Sequence, residues 1–420
     1  MEPARHAMRA QRTLAAAGLA ALLIIVGCSK DKDVDQPAKL TPLPSPTLRV
    51  QRLWSSGFSD KQEAALRLGQ GVSIENNRVY VADYHGDVHA LDLQTGHLVW
   101  RAKTRAPLSG GTAASAELVV VGASDGRLFA FDAAKGKLRW QVRLNGEVLA
   151  APTISERLIA VRTVDGKLHA VSPADGHELW TQEQPVPRLS LRGTARPLIV
   201  SDLVLCGFDN GKVLAVNAND GTVQWETTVT PPHGRTELER LADIDSQVSV
   251  SGRDVYAVGF QGRVAMLALD TGQIWWSHEA SSYRGLVFDG DALYVSDADG
   301  EVVALKARTG AEVWRQKSLL HRGLSPPAVM QDAIVVGDFE GYVHWLDKAN
   351  GALAARVSSG GTRVSTVPVV AGNIVVVIND RGHVNAYRVS ARASAGKQGT
   401  QSTQTTPQTP PVAMSARPGR

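Results

Sequence analysis

One short pattern recurs eight times along this chain, and its regular spacing is the strongest constraint on the fold. In seven copies a glycine is followed ten residues later by a second glycine, and in six of these a tryptophan stands four residues further on. The first copy, HGDVHALDLQTGHLVW, contains Gly86, Gly96 and Trp100. The other copies begin at Gly126, Gly166, Gly211, Gly262, Gly300, Gly341 and Gly382. Repeats of about 40 to 50 residues are typical of propellers and solenoids.

Each copy also has the period of β-structure. Apolar and polar residues alternate after the leading glycine, as at Val88 and Ala90, and this period of two is typical of strands. A further strand such as VYVAD precedes the glycine, an apolar segment precedes that strand, and Asp-Gly, Asn-Gly or Thr-Gly turns link the parts. We therefore predict an all-β fold, an eight-bladed β-propeller of four-stranded antiparallel blades over residues 49–390.

The N-terminal part of the repeat region supplies the strand that the last copy lacks. The copy that begins at Gly382 ends before its second glycine and its tryptophan, whereas the segment RVQRLWS (residues 49–55) places Trp54 in the corresponding setting. Pairing this N-terminal strand into the last blade would close the ring and remove exposed sheet edges. Because the repeat tryptophans recur so regularly, we expect them to pack between blades and not to form a ligand-stacking surface.

The N-terminus has the pattern of a bacterial lipoprotein signal. Residues 1–27 combine a basic start with an apolar run from Leu14 to Val26 that is short for a membrane span. The following Ile25-Val26-Gly27-Cys28 resembles a lipobox, which implies lipidation of Cys28, and Ser29 in place of aspartate favours the outer membrane. A start at Met8 would leave a signal of more usual length.

Two polar segments flank the predicted ring. Residues 28–48 are expected to form the lipidated cysteine and a proline-rich linker, which at about 3 Å per residue would reach roughly 60 Å from a bilayer. Residues 391–420, rich in Ser, Thr, Gln and Pro, are expected to be a disordered low-complexity tail. The formal net charge of +4 comes without a basic stripe interleaved with aromatic residues, so nothing favours nucleic-acid binding. With Cys28 acylated, Cys206 is expected to be a buried strand residue.

Two connections between blades are longer than the others. The spacing from the tryptophan to the start of the next blade is 17 residues after Trp180 and 23 after Trp225, against 10 to 13 elsewhere. Connections of the same kind in adjacent blades emerge side by side on one rim, where binding residues are often found.

The two long connections carry residues suited to a protein contact. The first contains Leu189, Leu191 and Arg192, and the second contains Arg240, Asp243 and Asp245. The alternative is that the leucines pack under their own loops and the charges are solvated. The stretch TELERLADI is also compatible with a short helix that turns Leu238 and Leu241 towards the ring.

The combination of lipobox, linker, eight repeats, RLSLRG (residues 188–193) and ERLADID (residues 239–245) resembles the BamB (YfgL) family of outer membrane assembly lipoproteins. The resemblance implies a non-enzymatic subunit of the β-barrel assembly (BAM) complex at the periplasmic face of the outer membrane. Such a subunit would bind the POTRA domains of BamA and assist insertion of β-barrel proteins. It implies no cofactor, no metal and no small-molecule substrate. The partner-binding residues that it implies are Leu189, Leu191, Arg192, Arg240, Asp243 and Asp245. Ala355, where a tryptophan is usual, and the tail depart from the family pattern.

Three alternatives stay open on the sequence. Sheet edges could accept extended segments of unfolded outer membrane proteins by strand addition. A quinone-dependent dehydrogenase shares the tryptophan repeat, but it would need clustered calcium ligands and often adjacent cysteines, and this chain has only Cys28 and Cys206. His85 and His89 flank a strand turn, and no nucleophile elbow occurs, so metal and hydrolase interpretations gain no support. A periplasmic scaffold with another partner is compatible with the fold.

Overall fold

A computed structural model describes residues 36–43, 45–58, 71–191 and 195–391. These residues form eight four-stranded antiparallel sheets, which confirms the predicted eight-bladed propeller. The predicted signal peptide, Cys28, Arg192 and the tail from residue 392 onwards lie outside the described residues. Within the described ranges, no helix is both long enough and apolar enough to cross a membrane.

The strands follow one another around the ring, four to a blade. Blades 1 to 4 contain β2 (Ser73–Glu75), β3 (Arg78–Ala82), β4 (Asp87–Asp92) and β5 (Leu98–Lys103); β6 (Ala113–Ala114), β7 (Leu118–Gly122), β8 (Arg127–Asp132) and β9 (Leu138–Arg143); β10 (Thr153–Ile154), β11 (Ile159–Arg162), β12 (Lys167–Val171) and β13 (Glu178–Glu183); and β14 (Leu198–Val200), β15 (Leu203–Gly207), β16 (Lys212–Asn217) and β17 (Val223–Thr228).

Blades 5 to 8 continue the pattern. They contain β18 (Ser249–Ser251), β19 (Asp254–Val258), β20 (Gly262–Ala268) and β21 (Ile274–Ala280); β22 (Leu286–Asp289), β23 (Ala292–Ser296), β24 (Val302–Lys306) and β25 (Glu312–Gln316); β26 (Ala328–Met330), β27 (Ala333–Gly337), β28 (Tyr342–Asp347) and β29 (Leu353–Ser358); and β30 (Val369–Ala371), β31 (Ile374–Ile378), β32 (His383–Ala391) and the N-terminal strand β1 (Leu48–Gly57).

The strand order gives the ring two distinct faces. In blades 1 to 7 the chain runs from the innermost strand outwards through three hairpins and then crosses to the next blade, and in blade 8 it makes the first two of these hairpins. Since consecutive strands are antiparallel, the connections between blades and the middle hairpin turns, such as the turn at Gly86, lie on the same face. We call this the upper face. The first and third hairpin turns, such as the turn at Gly96, lie on the lower face.

The N-terminal strand closes the ring as the sequence predicts. β1 pairs with β32 from Leu48 opposite Ala391 to Gly57 opposite His383. The outermost strand of blade 8 thus comes from the opposite end of the folded chain, and the sheet of that blade is complete.

Tryptophans on the outermost strands of seven blades pack against the following blade, as expected. The ring nitrogen of Trp54 donates to the carbonyl of Leu93 at 2.9 Å. Six others, Trp100, Trp140, Trp180, Trp225, Trp276 and Trp314, donate in the same way to the following blade at 2.8 to 3.1 Å. The indole lies under the lower-face glycine of that blade. At Gly96, with φ of +70°, a Cβ would lie 2.5 Å from the Trp54 ring, so only glycine fits.

Blade 7 departs from this pattern for a structural reason. The blade that follows it, blade 8, has no third hairpin, because its outermost strand is β1. A tryptophan at Ala355 would therefore have no turn to pack under. Instead Trp345 stands opposite Ala355 on the neighbouring strand and is fully buried, 6.2 Å from the Tyr387 ring. In blade 1, by comparison, the tryptophan (Trp100) is on the outermost strand and the alanine opposite it (Ala90) is on the neighbouring strand. The tryptophan and the alanine of blade 7 have exchanged these two strands.

A segment before β1 packs against blade 7, and we call residues 36–43 and 45–47 the strap. The backbone of Ala38 donates to the Leu320 carbonyl at 2.9 Å, and its carbonyl accepts from Arg322 Nη1 at 2.9 Å. Leu40 contacts the apolar cluster between blades 6 and 7. At the far end, Thr47 donates to the Ala354 carbonyl at 2.9 Å. The part of the linker that the structure describes is therefore attached to the ring, which leaves a shorter spacer than the sequence suggests.

Candidate partner-binding site

The two long connections lie next to one another on the upper face. Rim loop 1, residues 184–197, joins β13 to β14, and rim loop 2, residues 229–248, joins β17 to β18. The Leu191 amide donates a hydrogen bond to Asp243 Oδ2 and so joins the two loops directly. Gln184 Nε2 also donates to Glu226 Oε2 at 2.9 Å beneath rim loop 1. The described parts of the two predicted motifs are therefore in direct contact.

Rim loop 1 presents apolar surface to solvent. The Leu189 side chain is 43% exposed, whereas Leu191 is half-buried. The two leucines stand two residues apart in the loop, and both keep apolar surface that is accessible in the free protein. Arg192, the third residue predicted here, lies outside the described residues.

Rim loop 2 begins with an exposed turn. Glu239 Oε2 accepts from the amides of Arg235 and Thr236 at 2.8 and 3.0 Å, and Thr236 Oγ1 accepts from the Glu239 amide at 3.2 Å. This reciprocal pattern is a capping box, but the chain makes a single turn and does not continue as a helix. Leu241 is buried, as the helical pattern would require, whereas Leu238 is 64% exposed.

The predicted polar residues of rim loop 2 differ in exposure. Arg240 is exposed, Asp243 is fully buried and Asp245 is half-buried. Arg240 and Leu189 are thus available to a partner in the free protein, while Asp243 is already engaged by the Leu191 amide. The arrangement gives Asp243 an internal role in fixing rim loop 1.

Beneath the loops lies a buried acidic cluster that the sequence does not reveal. Asp209, on the middle hairpin of blade 4, pairs with Arg162 at 3.0 Å, and the Arg162 side chain is fully buried over the Phe208 ring. Asp243 and Asp245 lie close enough to interact with this pair. No motif marks Arg162 or Asp209, because they come from two different blades.

Burial changes the acidity of these carboxyls. It raises the pKa of Asp243 to about 6, against the lowering effect of the Leu191 amide. It raises the pKa of Asp245 well above its usual value, and the neighbouring Asp243 and Asp209 raise it further. The pKa of Asp209 is also raised by burial, although Arg162 opposes the shift. The charge of one arginine, Arg162, thus acts on three carboxyls. The raised pKa values of these carboxyls favour their protonated forms.

We expect Asp243→Asn to raise the free energy of unfolding at pH 7.5. The pKa of Asp243 is about 6 when folded and about 3.9 when unfolded, so the folded state binds more protons between these values. The contribution of Asp243 to the free energy of unfolding therefore falls as the pH rises from about 4 to about 6, whereas asparagine stays neutral. The gain at pH 7.5 is at most about 3 kcal/mol, at about 1.4 kcal/mol per pKa unit.

Urea unfolding at pH 4 and pH 7.5 measures this difference. Asp220→Asn is the control, because hydrogen bonds from the Thr222 amide and hydroxyl lower the pKa of that exposed carboxyl. The control should lower stability at pH 7.5 and have less effect at pH 4. If Asp243→Asn is no more stable than wild type at pH 7.5, the burial effect inferred here is wrong.

A groove runs beside rim loop 2. A cavity of about 1060 Å³ lies between the loop and the outer hairpin of blade 5. Its charged lining comes from both sides, with His233, Arg235 and Glu239 on the loop and Arg263 and Glu279 on the blade. The groove is therefore lined by charges of both signs.

One group of side chains within the described ranges has the spacing of a metal site. Asp83, Asp87 and His89 place ligand atoms within 4.8 Å of one another. Each of them also has a protein partner: Asp83 accepts from the Asp87 amide at 3.0 Å and contacts His89 Nε2 at 3.4 Å, and Arg101 pairs with Asp87. Blade 7 repeats the arrangement with Asp338 and His344 at 3.0 Å. These groups therefore brace the middle hairpin turns.

Comparison with known proteins shows which family this chain is similar to. The family model described as outer membrane protein assembly factor BamB matches residues 50–110, 85–316 and 298–412. The BamB protein of Pseudomonas aeruginosa is 46% identical over 377 residues, covering 89% of this chain and 98% of the relative. The Escherichia coli K12 protein of the same name is 33% identical over 389 residues, covering 88% and 97%.

Solved structures have the same fold. The crystal structure of BamB from Moraxella catarrhalis matches with a TM-score of 0.74 and 27% identity, covering 81% of this chain and all of that chain. The quinohemoprotein alcohol dehydrogenase of Comamonas testosteroni matches with a TM-score of 0.64 at 14% identity, covering 83% and 78%. At that identity the dehydrogenase shares the propeller architecture alone.

Proposed function

The chain belongs to the BamB family of outer membrane protein assembly factors, and on that premise we propose that its two rim loops bind the POTRA domains of BamA. As a family member it is a subunit of the BAM complex and acts in outer membrane protein assembly. It is an assembly factor and not an enzyme, since its close relatives carry that name and the dehydrogenases share only the architecture. It is accordingly associated with the outer membrane.

The main support for the proposal is an exposed leucine, Leu189, on a loop that a hydrogen bond to rim loop 2 holds in place. Leu189 stands 43% exposed on rim loop 1, and the adjoining Leu191 amide is fixed by a carboxylate of rim loop 2. Fixing the loop before binding reduces the entropy that a partner has to overcome. Covering the two leucines would then contribute about 25 cal/mol per Å² of apolar surface.

The predicted site residues divide into two roles. Leu189, Leu191, Arg192 and Arg240 form the contact in our proposal, with the arginines setting register through charge-assisted hydrogen bonds to the partner. Asp243 supports rim loop 1 from below, because it is fully buried and binds the Leu191 amide. Asp245 interacts with the acidic cluster beneath the loops. Substitution of Asp243 would therefore weaken partner binding through rim loop 1, without loss of a direct contact.

Site-specific crosslinking tests the location of the partner. A photoreactive residue at Leu189 should crosslink to a POTRA domain of BamA in membranes. A photoreactive residue at Leu138, a leucine 46% exposed on blade 2, is the matched control and should give no such product. Crosslinks to BamA from Leu138 and none from Leu189 would contradict the proposed site.

We further propose that lipidation of Cys28 anchors the protein at the periplasmic face of the outer membrane. The support is the lipobox sequence Ile25-Val26-Gly27-Cys28 and the serine that follows it. The cysteine then carries the acyl chains, and the ring remains in the periplasm. Cys28→Ser should release the protein from the membrane fraction.

A further inference from the structure

The strap determines where the anchoring segment leaves the ring. Its contacts at Ala38 are to Leu320 and Arg322, which lie in the connection from blade 6 to blade 7. All such connections are on the upper face, together with rim loops 1 and 2. The chain then descends along blade 7, where Arg356 Nη2 donates to the Thr41 carbonyl, and it reaches the lower face at Thr47. The strap therefore begins at the upper face, near Ala38.

The attachment point is held firmly. Arg322, which binds the Ala38 carbonyl, is itself buried and donates through Nε to Asp338 Oδ2 at 2.8 Å. Its Nη2 pairs with Glu340, and its guanidinium lies 5.2 Å from the Phe339 ring. A side chain fixed by three neighbours presents its remaining donor in one direction, so the strap is docked on a rigid part of the fold.

The distance from this point to the proposed anchor is short. Ten residues separate Cys28 from Ala38, and even a fully extended chain of that length spans at most about 35 Å. If residues 38–47 were free, the attachment point would instead be Thr47 on the lower face, and the reach would be nearly twice as long. The strap therefore changes both the reach of the ring and the face that is tethered.

We propose that the strap orients the ring so that the face with rim loops 1 and 2 is turned towards the membrane, and that the partner is bound on this membrane-proximal side. The proposal rests on the lipid anchor at Cys28 proposed above. It assigns to the upper face a partner whose docking segment lies within a few tens of ångströms of the lipid headgroups. A partner domain that extends far into the periplasm would not reach the rim loops without release of the strap.

Energy transfer from the protein to labelled lipid tests this orientation. The lipidated protein is placed in vesicles that carry acceptor headgroups, with a donor dye on Tyr84→Cys or on His97→Cys. Both positions are exposed on blade 1, Tyr84 in the upper middle hairpin and His97 beside the lower turn. Cys206 does not compete for the dye, since it is fully buried and burial raises its thiol pKa to about 12.

Transfer from position 84 should exceed transfer from position 97 by about twofold or more, because strands of five to six residues separate the faces by about 20 Å. Equal transfer, or more from position 97, would overturn the proposal. The double variant Leu40→Ser with Arg356→Gln, which weakens two strap contacts, should reduce or reverse the difference while the circular dichroism spectrum is retained. An unchanged difference in that variant would show that the strap does not set the orientation.

Vesicle flotation separates this inference from the anchor on which it depends. Wild-type protein should float with the vesicles, and Cys28→Ser should not. Wild-type protein that fails to float would contradict the lipid anchor and overturn the orientation with it. Protein that floats but shows equal transfer from the two dyes would overturn the orientation alone and leave the anchor in place.

Discussion

Leu191→Ala combined with Arg192→Ala is expected to abolish co-purification of BamA while leaving the circular dichroism spectrum unchanged. Leu191 is only half-buried in the free protein, so its truncation leaves the ring intact, and its contribution would be made in the complex. Hot-spot residues cost about 2 kcal/mol or more each when truncated. Two such losses, about 4 kcal/mol together, weaken binding about a thousandfold.

A matched pair elsewhere on the ring provides the control for this experiment. Leu138 and Arg139 are adjacent, and Leu138 is exposed at the start of β9 on blade 2. Leu138→Ala with Arg139→Ala removes the same two side-chain types from a surface without a predicted partner and should leave co-purification intact. Retained binding in the rim-loop variant, or equal loss in the control, would mean that the site lies elsewhere.

Trp54→Ala is expected to lower the free energy of unfolding by about 3 to 5 kcal/mol, the usual cost of truncating a large buried aromatic residue. Trp54 is 9% exposed, packs under Gly96 and donates to the Leu93 carbonyl at 2.9 Å. Its loss leaves a cavity and an unpaired carbonyl at the joint between blades 8 and 1. Urea unfolding followed by tryptophan fluorescence or circular dichroism measures the change.

Trp275 is a suitable control for Trp54. It lies next to Trp276 on β21 but is 58% exposed, and its truncation should change the free energy of unfolding by less than about 0.5 kcal/mol. A similar loss in both variants would indicate that the position of the tryptophan in the blade joint is not what stabilises the ring.

The sequence predicts the architecture well because each blade repeats the same local signals. Gly96 and Trp54 illustrate this, since one requires a positive φ and the other requires the space that glycine leaves. The exchange of Trp345 and Ala355 between strands was harder to predict from the sequence. It depends on the absence of a hairpin in the next blade, a fact about connectivity that the local sequence of blade 7 does not carry.

The candidate site was only partly predictable. The length of the connections after Trp180 and Trp225 indicates two loops on one rim, and the Leu191–Asp243 hydrogen bond joins them. The burial of Asp243 could not be read from the sequence, because an aspartate in a long polar loop is usually solvated. The Arg162 charge that opposes the rise of its pKa comes from blade 3, earlier in the chain, and no local pattern marks it.

The pairing of β1 with β32 has a consequence for biogenesis. Synthesis produces β1 first and β32 last, since these two strands stand at opposite ends of the folded sequence. Blades 1 to 7 have all their strands before β32 is complete, but the outermost strand of blade 8 has no hydrogen-bonding neighbour until then. Closure of the circle is therefore the last step in forming the mature shape, and a chain that ends before β32 cannot complete it.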